Sequence, residues 1–409
     1  MNKKSTHILF ISDNFPPEVN APATRTYEHC KEWVNAGSKV TVITCAPNFP
    51  KGKVFEGYKN KLYQKETIDG IEVIRVWSYI TSNAGFFKRV LDYISFAKMA
   101  FFASFFVRKV DVIVSTSPQF FSAVSGYFIA LFKRKPWIME VRDIWPESIR
   151  AVNAMKSSKI LDFLEKVELF LYRKATKVVV VTDSFKRNIT ERGINPDKIE
   201  IVKNGVYLDN FKAKAKEDYL LKKLNLKGKF VVGYIGTHGM AHKLDFILNS
   251  ILNLDSNIHF LFLGDGAEKQ KLLQLNKKLN LNNTTFIDFV SKNEIQDYIS
   301  ITDIALVPLK KSDTFKTVIP SKIFENAAMK KPILLGVEGE SKEIVEKYNA
   351  GLCFEPENKE DFIEKLDKLF KDKEFYAECQ QGCDNLANDF DRKKKAMDML
   401  EIIKQCVYG

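Results

Sequence analysis

The chain contains 409 residues, of which 45% are hydrophobic and 28% are charged. This length is too great for one hydrophobic core and favours two domains of roughly 200 residues each. The composition excludes a disordered or low-complexity chain. The net charge of +12 leaves nucleic acid, anionic lipid and phosphorylated substrates open as partners, beside the alternative of a merely solvated lysine-rich surface.

The six cysteines are scattered along the chain, at positions 30, 45, 353, 379, 383 and 406. Cys379 and Cys383 are one helical turn apart, but no second pair completes the spacing of a zinc site. Reduced thiols, and hence the cytoplasm, are therefore expected. The first apolar run is too short for a signal peptide and predicts a buried strand.

Short apolar runs alternate with helical patterns through the first half of the chain. A strand at residues 7–12 is followed by a polar loop, a helix at residues 26–36 and a strand at residues 39–44. This order begins a parallel βαβ sheet. Further strands are predicted at residues 73–76, 110–115, 138–141, 178–181 and 200–202. The alternation predicts a doubly wound α/β domain.

A second alternation follows and predicts a second domain of the same kind. Its strands are expected at residues 230–235, 260–263, 285–289, 304–307 and 333–335. Rossmann-like domains are therefore predicted at residues 1–205 and 206–390, with a last helix at residues 391–409. Ligands of such sheets bind beyond the carboxyl ends of the strands. Site residues are expected in the loops at residues 13–25, 142–147, 237–243, 264–268 and 310–321.

The segment at residues 90–107 is rich in Phe and nearly long enough to span a bilayer. Asp92 and Lys98 interrupt it and would be costly at the centre of a membrane. Basic residues flank it at positions 88, 89, 108 and 109, and residues 133–135 form a second basic cluster. The pattern favours either an interfacial helix on an anionic membrane surface or a helix buried against the first sheet, and the two can coexist.

The strongest local pattern is the sequence from Pro320 to Met329. Pro320 ends the preceding segment, and Ser321 is expected to cap the helix that follows. The free amides at the start of a helix and the charge of Lys322 suit a diphosphate. Glu325 lies one turn further along, where a carboxylate can accept both hydroxyls of a ribose. A solvated surface glutamate is the alternative.

A glycine-rich loop, Gly233-Tyr-Ile-Gly236-Thr-His-Gly239, directly follows a predicted strand. Glycines at a strand end permit the close approach of a phosphate-bearing ligand. His238 and His242 have the spacing of a metal pair on a helix, but no third ligand is apparent and Lys243 would repel a cation. We therefore predict phosphate contacts for His242 and Lys243 and no metal site. The Gly264-Asp265-Gly266 turn is either a second such contact or a plain loop.

In the first domain, Glu140, Arg142, Asp143 and Glu147 lie at or just beyond the end of a predicted buried strand. Charge in such a place is costly unless it is used or paired. Arg142 and Asp143 are therefore candidate catalytic residues, with a structural pair between them as the alternative. The Asp-x-Asp at positions 389 and 391 lies in the charged tail and is interpreted as solvated.

Asn204-Gly205-Val206 with Asp209 and Phe211 resembles the N-G-V-D-x-x-x-F linker of the family-4 retaining glycosyltransferases. The Gly-Asp-Gly turn and the helix after Pro320 occupy the places of that family's other motifs, so the resemblance spans nearly the whole chain. Five segments look like the WbuB subgroup, which is associated with O-antigen assembly and N-acetyl-L-fucosamine transfer. They lie at residues 16–18, 21–25, 142–148, 236–242 and 320–325.

The resemblance implies the GT-B fold, with two Rossmann-like domains across a cleft and the last helix crossing back onto the first domain. It implies acceptor binding on the first domain and nucleotide-sugar binding on the second. The implied contacts to a UDP-sugar donor are Asn20, Gly236, His238, His242, Lys243, Asp265, Val290, Pro320, Ser321, Lys322 and Glu325. The implied catalytic residues are Arg142, Asp143, His242 and Lys322.

Several of these positions depart from the family pattern. Glu325 corresponds to the second Glu of the E-x7-E motif, but Thr317 replaces the first Glu, which normally helps to hold the donor sugar. The usual diphosphate Arg and Lys fall at Thr237 and His242. Lys243 or Lys322 would supply the missing charge.

Two positions of the first domain also depart from it. Asn20 replaces a glycine often seen in the first loop, and Arg142 stands where many members have a His that contacts the donor sugar.

The implied function is retaining transfer of a sugar from a UDP-sugar to a polyprenyl-diphosphate-linked sugar, without metal or other cofactor. The donor phosphate would assist deprotonation of the acceptor, and protein cations would stabilise the leaving diphosphate. The enzyme would lie on the cytoplasmic face of the plasma membrane, with an anionic membrane surface and no nucleic acid as partner. A UDP-sugar 2-epimerase of the same architecture and a non-catalytic sugar-nucleotide-binding protein remain as alternatives.

Overall fold

The computed structural model describes residues 5–49, 51–81, 86–117, 119–145, 158–291 and 294–409. The chain forms two compact units, one of residues 1–203 with 392–409 and one of residues 204–391. These limits lie within two residues of the domain boundaries that the sequence predicts at 205 and 390.

An eight-stranded sheet forms the centre of the first unit. Its strands are β1 (His7–Ile11), β2 (Lys39–Cys45), β3 (Tyr63–Ile68), β4 (Ile71–Val76), β5 (Val112–Thr116), β6 (Trp137–Val141), β7 (Lys177–Val180) and β8 (Ile199–Ile201). They are ordered β3-β4-β2-β1-β5-β6-β7-β8, and all neighbours are parallel except β3 and β4. The chain order therefore reverses between β1 and β5, which is where ligands of doubly wound sheets bind.

The described helices of this unit before the domain boundary are α1 (Ala21–Asn35), α2 (Phe86–Ser104), α3 (Phe120–Lys133), α4 (Ser158–Lys174) and α5 (Asp183–Glu191). They cover a sheet that is apolar on both faces, as parallel sheets require. In β1, for example, Leu9 and Ile11 belong to one hydrophobic cluster, whereas Ile8 and Phe10 belong to another.

A six-stranded parallel sheet forms the centre of the second unit. Its strands are β9 (Phe230–Ile235), β10 (Ile258–Leu263), β11 (Thr284–Ile287), β12 (Ile304–Pro308), β13 (Ile333–Gly336) and β14 (Gly351–Cys353). The order is β11-β10-β9-β12-β13-β14, the strand order of dinucleotide-binding folds. The reversal lies between β9 and β12.

The described helices of the second unit surround this sheet. They are α6 (Asp218–Lys223), α7 (Leu244–Ser250), α8 (Lys269–Lys278), α9 (Ile295–Ser300), α10 (Lys322–Ala328), α11 (Glu340–Lys347), α12 (Lys359–Lys371) and α13 (Lys373–Asp389). The predicted class, two doubly wound α/β domains, is thus confirmed.

The last helix, α14 (Arg392–Tyr408), packs against α1 of the first unit. The indole Nε1 of Trp33 donates a hydrogen bond of 2.8 Å to the carbonyl oxygen of Ala396. Met399 and Leu400 are fully buried in the same hydrophobic cluster as Trp33. This packing makes the C-terminal helix a part of the first unit.

The structure differs from the sequence prediction in three places. Helix α1 begins at Ala21 rather than at residue 26, because the side-chain oxygen of Asn20 accepts a hydrogen bond of 2.9 Å from the amide of Ala23. Strand β3 was not predicted because it is an edge strand whose polar sequence, YQKETI, contains no apolar run. Strand β14 has only three residues, which is too short for a periodic signal.

Helix α2 contains most of the Phe-rich segment. Phe96 and Ala100 are completely buried against the first unit, while Phe102 and Phe106 are 55% and 70% exposed. Burial of one face agrees with a helix packed on the first unit, and the interfacial role of the exposed Phe residues stays a prediction. In the ranges that the structure describes, no helix is both long and apolar enough to cross a bilayer.

A buried ion pair joins α1 to β6. The Nε of Arg25 donates a hydrogen bond of 3.0 Å to Glu140, and both side chains are 2% exposed. The Arg25 guanidinium also donates to the carbonyl oxygens of Val202 and Lys203. Burial alone would raise the pKa of Glu140, but the charges of Arg25 and Arg142 hold that pKa below its usual value.

Arg25→Met is expected to lower the free energy of unfolding by about 3–5 kcal/mol, because Glu140 would remain charged and buried without its guanidinium. Urea denaturation at pH 7 measures this. Lys65→Met is the matched control, since the Lys65–Glu72 pair is largely exposed, and it should cost less than about 1 kcal/mol. Equal losses in the two variants would contradict the assignment. Because the folded pKa of Glu140 is depressed, its stabilising contribution is present above the ordinary carboxyl pKa and is lost as pH falls through the lowered value.

Candidate functional site

Three loops meet beyond the carboxyl ends of the strands at the reversal point of the second sheet. Residues 236–243 follow β9, residues 264–268 follow β10, and residues 309–321 follow β12. The amide of Lys310 donates a hydrogen bond of 2.8 Å to the carbonyl oxygen of Ala241, and this bond links the first and third loops. The sequence placed its candidate phosphate-binding residues in these loops.

Glycines allow the first two loops to interlock. A Cβ added to Gly264 would lie 2.0 Å from the carbonyl oxygen of Gly236, and one added to Gly266 would lie 2.5 Å from that of His238. The amide of His238 donates a hydrogen bond of 2.8 Å to the carbonyl oxygen of Asp265. The Gly-Asp-Gly turn is therefore a packing element that fixes the backbone of His238, and not a plain loop.

Lys322, the first residue of α10, places its ammonium group inside this site. Its Nζ lies 4.1 Å from the ring centroid of Tyr234 and is buried without a hydrogen-bond partner in the described structure. A Cβ added to Gly236 would lie 2.7 Å from the same Nζ. Burial lowers the pKa of Lys322 to about 8, although the charge of Glu325 acts in the opposite direction.

His238 and His242 complete what we call the Lys322 cluster, which consists of Tyr234, His238, His242 and Lys322. The two imidazole rings lie 5.8 and 5.9 Å from the Tyr234 ring. Both ring nitrogens of His238 and the Nδ1 of His242 are buried and make no hydrogen bond to any described residue. Burial, followed by nearby lysine charge, lowers the pKa of each histidine to about 4. Both are neutral at pH 7, so each carries one N–H donor.

The start of α10 differs in part from the helix start that the sequence predicts. Ser321 does not cap the helix through its side chain, because its backbone is itself helical, with φ −58° and ψ −30°. Pro320 and Glu325 are half-buried. The hydroxyl of Thr317 donates a hydrogen bond of 3.1 Å to the carbonyl oxygen of Thr314. Ser321 therefore occupies the expected N-cap position without a side-chain capping hydrogen bond, and Lys322 and Glu325 lie on the helix that it begins.

The other predicted residues of this unit have separate environments. Lys243 is paired with Asp245 at 3.2 Å and with Glu357 at 3.9 Å, so its charge is already compensated. The side chain of Asp265 is exposed, and Val290 is half-buried against a hydrophobic cluster.

In the first unit, Arg142 lies at the carboxyl end of β6. Its guanidinium donates to the carbonyl oxygens of Ala21 at 3.1 Å and Pro22 at 3.3 Å, rather than to Asp143. The Ser117 hydroxyl accepts hydrogen bonds from the amides of Arg142 and Asp143, and burial lowers the pKa of Arg142 to about 10. Glu147 lies outside the described residues.

The sequence did not single out Tyr234. Its ring forms one wall of the Lys322 cluster. Its hydroxyl donates a hydrogen bond of 2.5 Å to the carbonyl oxygen of Thr237. The available signal was its place two residues before Gly236 at a strand end. Among the described residues, no three His, Cys, Asp or Glu side chains are grouped as they are around a metal ion.

Solved structures show the same architecture over the whole chain. The crystal structure of Anabaena HepE in complex with UDP and glucose aligns with a TM-score of 0.71 and 15% identity, covering 98% of this chain and all of HepE. Together with the two doubly wound sheets, this similarity defines the GT-B fold.

Two family matches follow the two units. Residues 22–210 match Glycosyltransferase Family 4, and residues 216–384 match Glycosyl transferases group 1. The chain belongs to the family-4/group-1 glycosyltransferases of the GT-B fold.

Two curated relatives are distant. TuaH of Bacillus subtilis, assigned as a teichuronic acid biosynthesis glycosyltransferase, is 26% identical over 48% of this chain and 49% of its own length. The N-acetylgalactosamine-N,N'-diacetylbacillosaminyl-diphospho-undecaprenol 4-alpha-N-acetylgalactosaminyltransferase of Campylobacter jejuni is 22% identical over 57% of this chain and 61% of its own. The matched region thus spans about half to three fifths of these relatives.

Because the buried ammonium of Lys322 has no hydrogen-bond partner, we expect its replacement to stabilise the protein. Lys322→Met should raise the free energy of unfolding at pH 7 by about 1–2 kcal/mol, since a buried ammonium without a hydrogen bond is removed. Lys331→Met is the matched control. Lys331 has a pKa also lowered to about 8, but it donates to the carbonyl oxygens of Ser300 and Thr302, so its loss should destabilise the protein.

Denaturant titrations across pH give a second readout of the same prediction. Between about pH 8 and 10.5 the unfolded chain keeps the Lys322 proton that the folded chain has lost. Stability due to this group therefore rises with pH over that window. Lys322→Met should remove this rise. A destabilised Lys322→Met protein would show that the ammonium has favourable contacts in the fold.

Proposed function

We propose that this protein is a glycosyltransferase that moves a sugar from a UDP-sugar to a polyprenyl-diphosphate-linked sugar during assembly of a cell-surface polysaccharide. The observation that carries the proposal is the Lys322 cluster, in which buried nitrogen donors without partners surround the reversal point of a nucleotide-binding type of sheet. UDP is present in the HepE crystal structure. The names of the two curated relatives concern a cell-wall polysaccharide and an undecaprenyl-diphosphate-linked acceptor.

In this proposal the donor diphosphate accepts hydrogen bonds from Lys322 and from the N–H groups of His238 and His242. An anion there would neutralise the ammonium and would satisfy ring nitrogens that have no partner in the described structure. Glu325 would hold the hydroxyls of the ribose. The pKa of Lys322 should then return from about 8 toward its ordinary value, because a neighbouring negative charge favours the protonated form.

The proposed reaction breaks the bond between the anomeric carbon and the diphosphate oxygen. The departing oxygen keeps the electron pair, and Lys322 stabilises its charge without a metal. An acceptor hydroxyl forms the new bond on the same face and gives its proton to a donor phosphate oxygen, so that the anomeric configuration is retained. Arg142 and Asp143 are the proposed contributions of the first unit.

The finer assignment follows the WbuB-like segments. We assign the donor sugar to the N-acetyl-L-fucosamine class and the product to O-antigen or capsule polysaccharide. Asn20 and Arg142 are the two positions of the first unit that depart from the family pattern, and their contacts lie together at the start of α1. Asn20 caps α1 and donates to Asn14, and Arg142 donates to the carbonyl oxygens of the first turn of that helix.

The test combines nucleotide binding with product formation. UDP should raise the melting temperature of the wild-type protein, and Glu325→Ala should lose most of that shift. Glu343→Ala, an exposed first-turn glutamate of α11, is the matched control and should keep it. With UDP-N-acetyl-L-fucosamine, release of UDP should require an undecaprenyl-diphosphate-linked N-acetylhexosamine.

The outcomes separate the alternatives. Formation of a free epimer without acceptor would replace the transferase by a 2-epimerase. Binding of UDP-sugars with no turnover would indicate a non-catalytic binding protein. An unchanged UDP shift in Glu325→Ala would remove Glu325 from the ribose.

A membrane-facing surface would bring the enzyme to such an acceptor. We define the Phe102 patch as the exposed apolar side chains of α2, its C-terminal turn and α3: Phe102, Phe105, Phe106, Phe128, Leu131 and Phe132. The rings of Phe105 and Phe132 lie 4.6 Å apart and join the two helices. Arg108, Lys109, Arg134 and Lys135 are exposed beside them. Exposed apolar area with a basic rim is typical of proteins that bind anionic bilayers.

Flotation with phosphatidylglycerol-rich vesicles tests this surface. Charge reversal of Lys88, Arg89, Arg108 and Lys109 should abolish binding, since each basic residue near an anionic surface contributes about 1 kcal/mol. Reversal of Lys222, Lys223, Lys277 and Lys278, which are exposed in the second unit, is the charge-matched control. Phe106→Ser should also weaken binding, whereas Phe289→Ser, at an equally exposed position of the second unit, should not. Unchanged flotation of the first variant would exclude the interfacial role.

A further inference from the structure

Another buried lysine, Lys269, is the first residue of α8 and is only 5% exposed. Its Nζ donates hydrogen bonds of 2.7 Å to the carbonyl oxygen of Gly264 and 3.2 Å to that of Ile287. It donates a third, of 2.5 Å, to Oδ1 of Asp288. One side chain therefore ties the loop after β10 to the end of β11 and the residue that follows it.

The loop that Lys269 holds is also the loop that fixes His238. The amide of His238 donates to the carbonyl oxygen of Asp265, and the amide of Glu268 donates a hydrogen bond of 2.9 Å to the carbonyl oxygen of His238. Both backbone polar groups of His238 are thus bonded to residues of this loop. A displacement of the loop would therefore displace the imidazole ring from the Lys322 cluster.

The positive charge of Lys269 acts on the same ring. Burial, and then the charges of Lys269 and Lys322, lower the pKa of His238 to about 4. The charge of Asp265 acts in the opposite direction. For His242, the lysine charge that lowers the pKa is that of Lys322. The charge of Lys269 is therefore felt on the His238 side of the Lys322 cluster.

Asp288 compensates this charge only in part. Its carboxylate is 96% exposed, whereas the ammonium of Lys269 is buried. Water screens an exposed carboxylate, and the two carbonyl oxygens that accept from Lys269 carry no full charge. A buried charge that is compensated only in part is costly unless it is used. An anion bound at the Lys322 cluster would use it.

We propose that Lys269 is a positioning residue of the diphosphate site, which orients His238 through the Gly-Asp-Gly turn and adds a positive charge beside the anion. That this anion is the diphosphate of a sugar donor rests on the proposed function, whereas the positioning of His238 does not. Lys269 thus acts through His238 and makes no contact of its own with the ligand.

Calorimetric titration with pyrophosphate and with UDP, together with NMR titration of the histidine rings, tests this role. Lys269→Met should weaken pyrophosphate binding about tenfold, since a nearby positive charge is lost. The pKa of His238 should rise toward its ordinary value, because one of the charges that lower it is absent, whereas that of His242 should not rise. The spectrum of His238→Asn identifies the signal of His238 among the five histidines.

Lys271→Met is the matched control. Lys271 lies on the same helix, is 72% exposed and pairs with Glu268, so its loss should change neither the affinity nor the pKa. Lys269→Gln is a second test variant. It keeps an N–H donor for the two carbonyl oxygens, so it preserves the test where the methionine variant does not fold. The pKa of His238 should rise in this variant as well, since the charge is lost.

The outcomes keep this proposal apart from the proposed function. If a folded Lys269 variant keeps both its pyrophosphate affinity and its His238 pKa, Lys269 has only a structural role and the proposal is overturned, even when UDP binds. If the wild-type protein binds pyrophosphate but not UDP, the proposed function is contradicted, and a tenfold loss in Lys269→Met still supports the positioning role. A wild-type protein that binds neither ligand contradicts both.

Discussion

The fold depends on one constraint, which is that a parallel sheet leaves polar loops buried at the point where its strand order reverses. Backbone groups there are satisfied by neighbouring loops, as the amide of His238 is by Asp265. Side chains such as Lys322 and Glu18 are not fully satisfied within the described structure. Unpaired buried polar groups cost about 1–3 kcal/mol each. A ligand that satisfies them recovers this free energy on binding, so the same atoms that destabilise the free protein favour its complex.

The two reversal points have opposite chemical character. The Lys322 cluster offers N–H groups and a positive charge, which suit an anion with many acceptor oxygens. The reversal point of the first sheet instead holds the carboxyl group of Asp13 near those of Glu18 and Asp92. Burial has different consequences in each. It leaves His238 and His242 neutral as single donors, whereas it keeps a proton on Asp13 at neutral pH.

The sequence could predict what depends on local pattern. Strands buried on both faces, such as β1 and β9, are continuous apolar runs, and they lie where the sequence placed them. The polar edge strand β3 and the start of α1 were missed, because sheet edges and side-chain caps leave weak periodic signals. The burial of Lys322 depends on Tyr234 from a distant strand. No local pattern indicates such a contact, so the unpaired ammonium could be found only in the folded chain.

Thr317 shows how such distant contacts limit inference from motifs. A threonine at the place of a family glutamate lacks the carboxylate, and its hydroxyl already donates to the carbonyl oxygen of Thr314 within a turn of 3-10 helix. It therefore cannot replace the glutamate by a small shift. The nitrogen donors of the Lys322 cluster do not depend on residue 317, so the proposed function separates contacts to the diphosphate from contacts to the donor sugar. In that proposal, the loss of the glutamate at position 317 affects the choice of donor sugar and leaves the contacts to the nucleoside diphosphate in place.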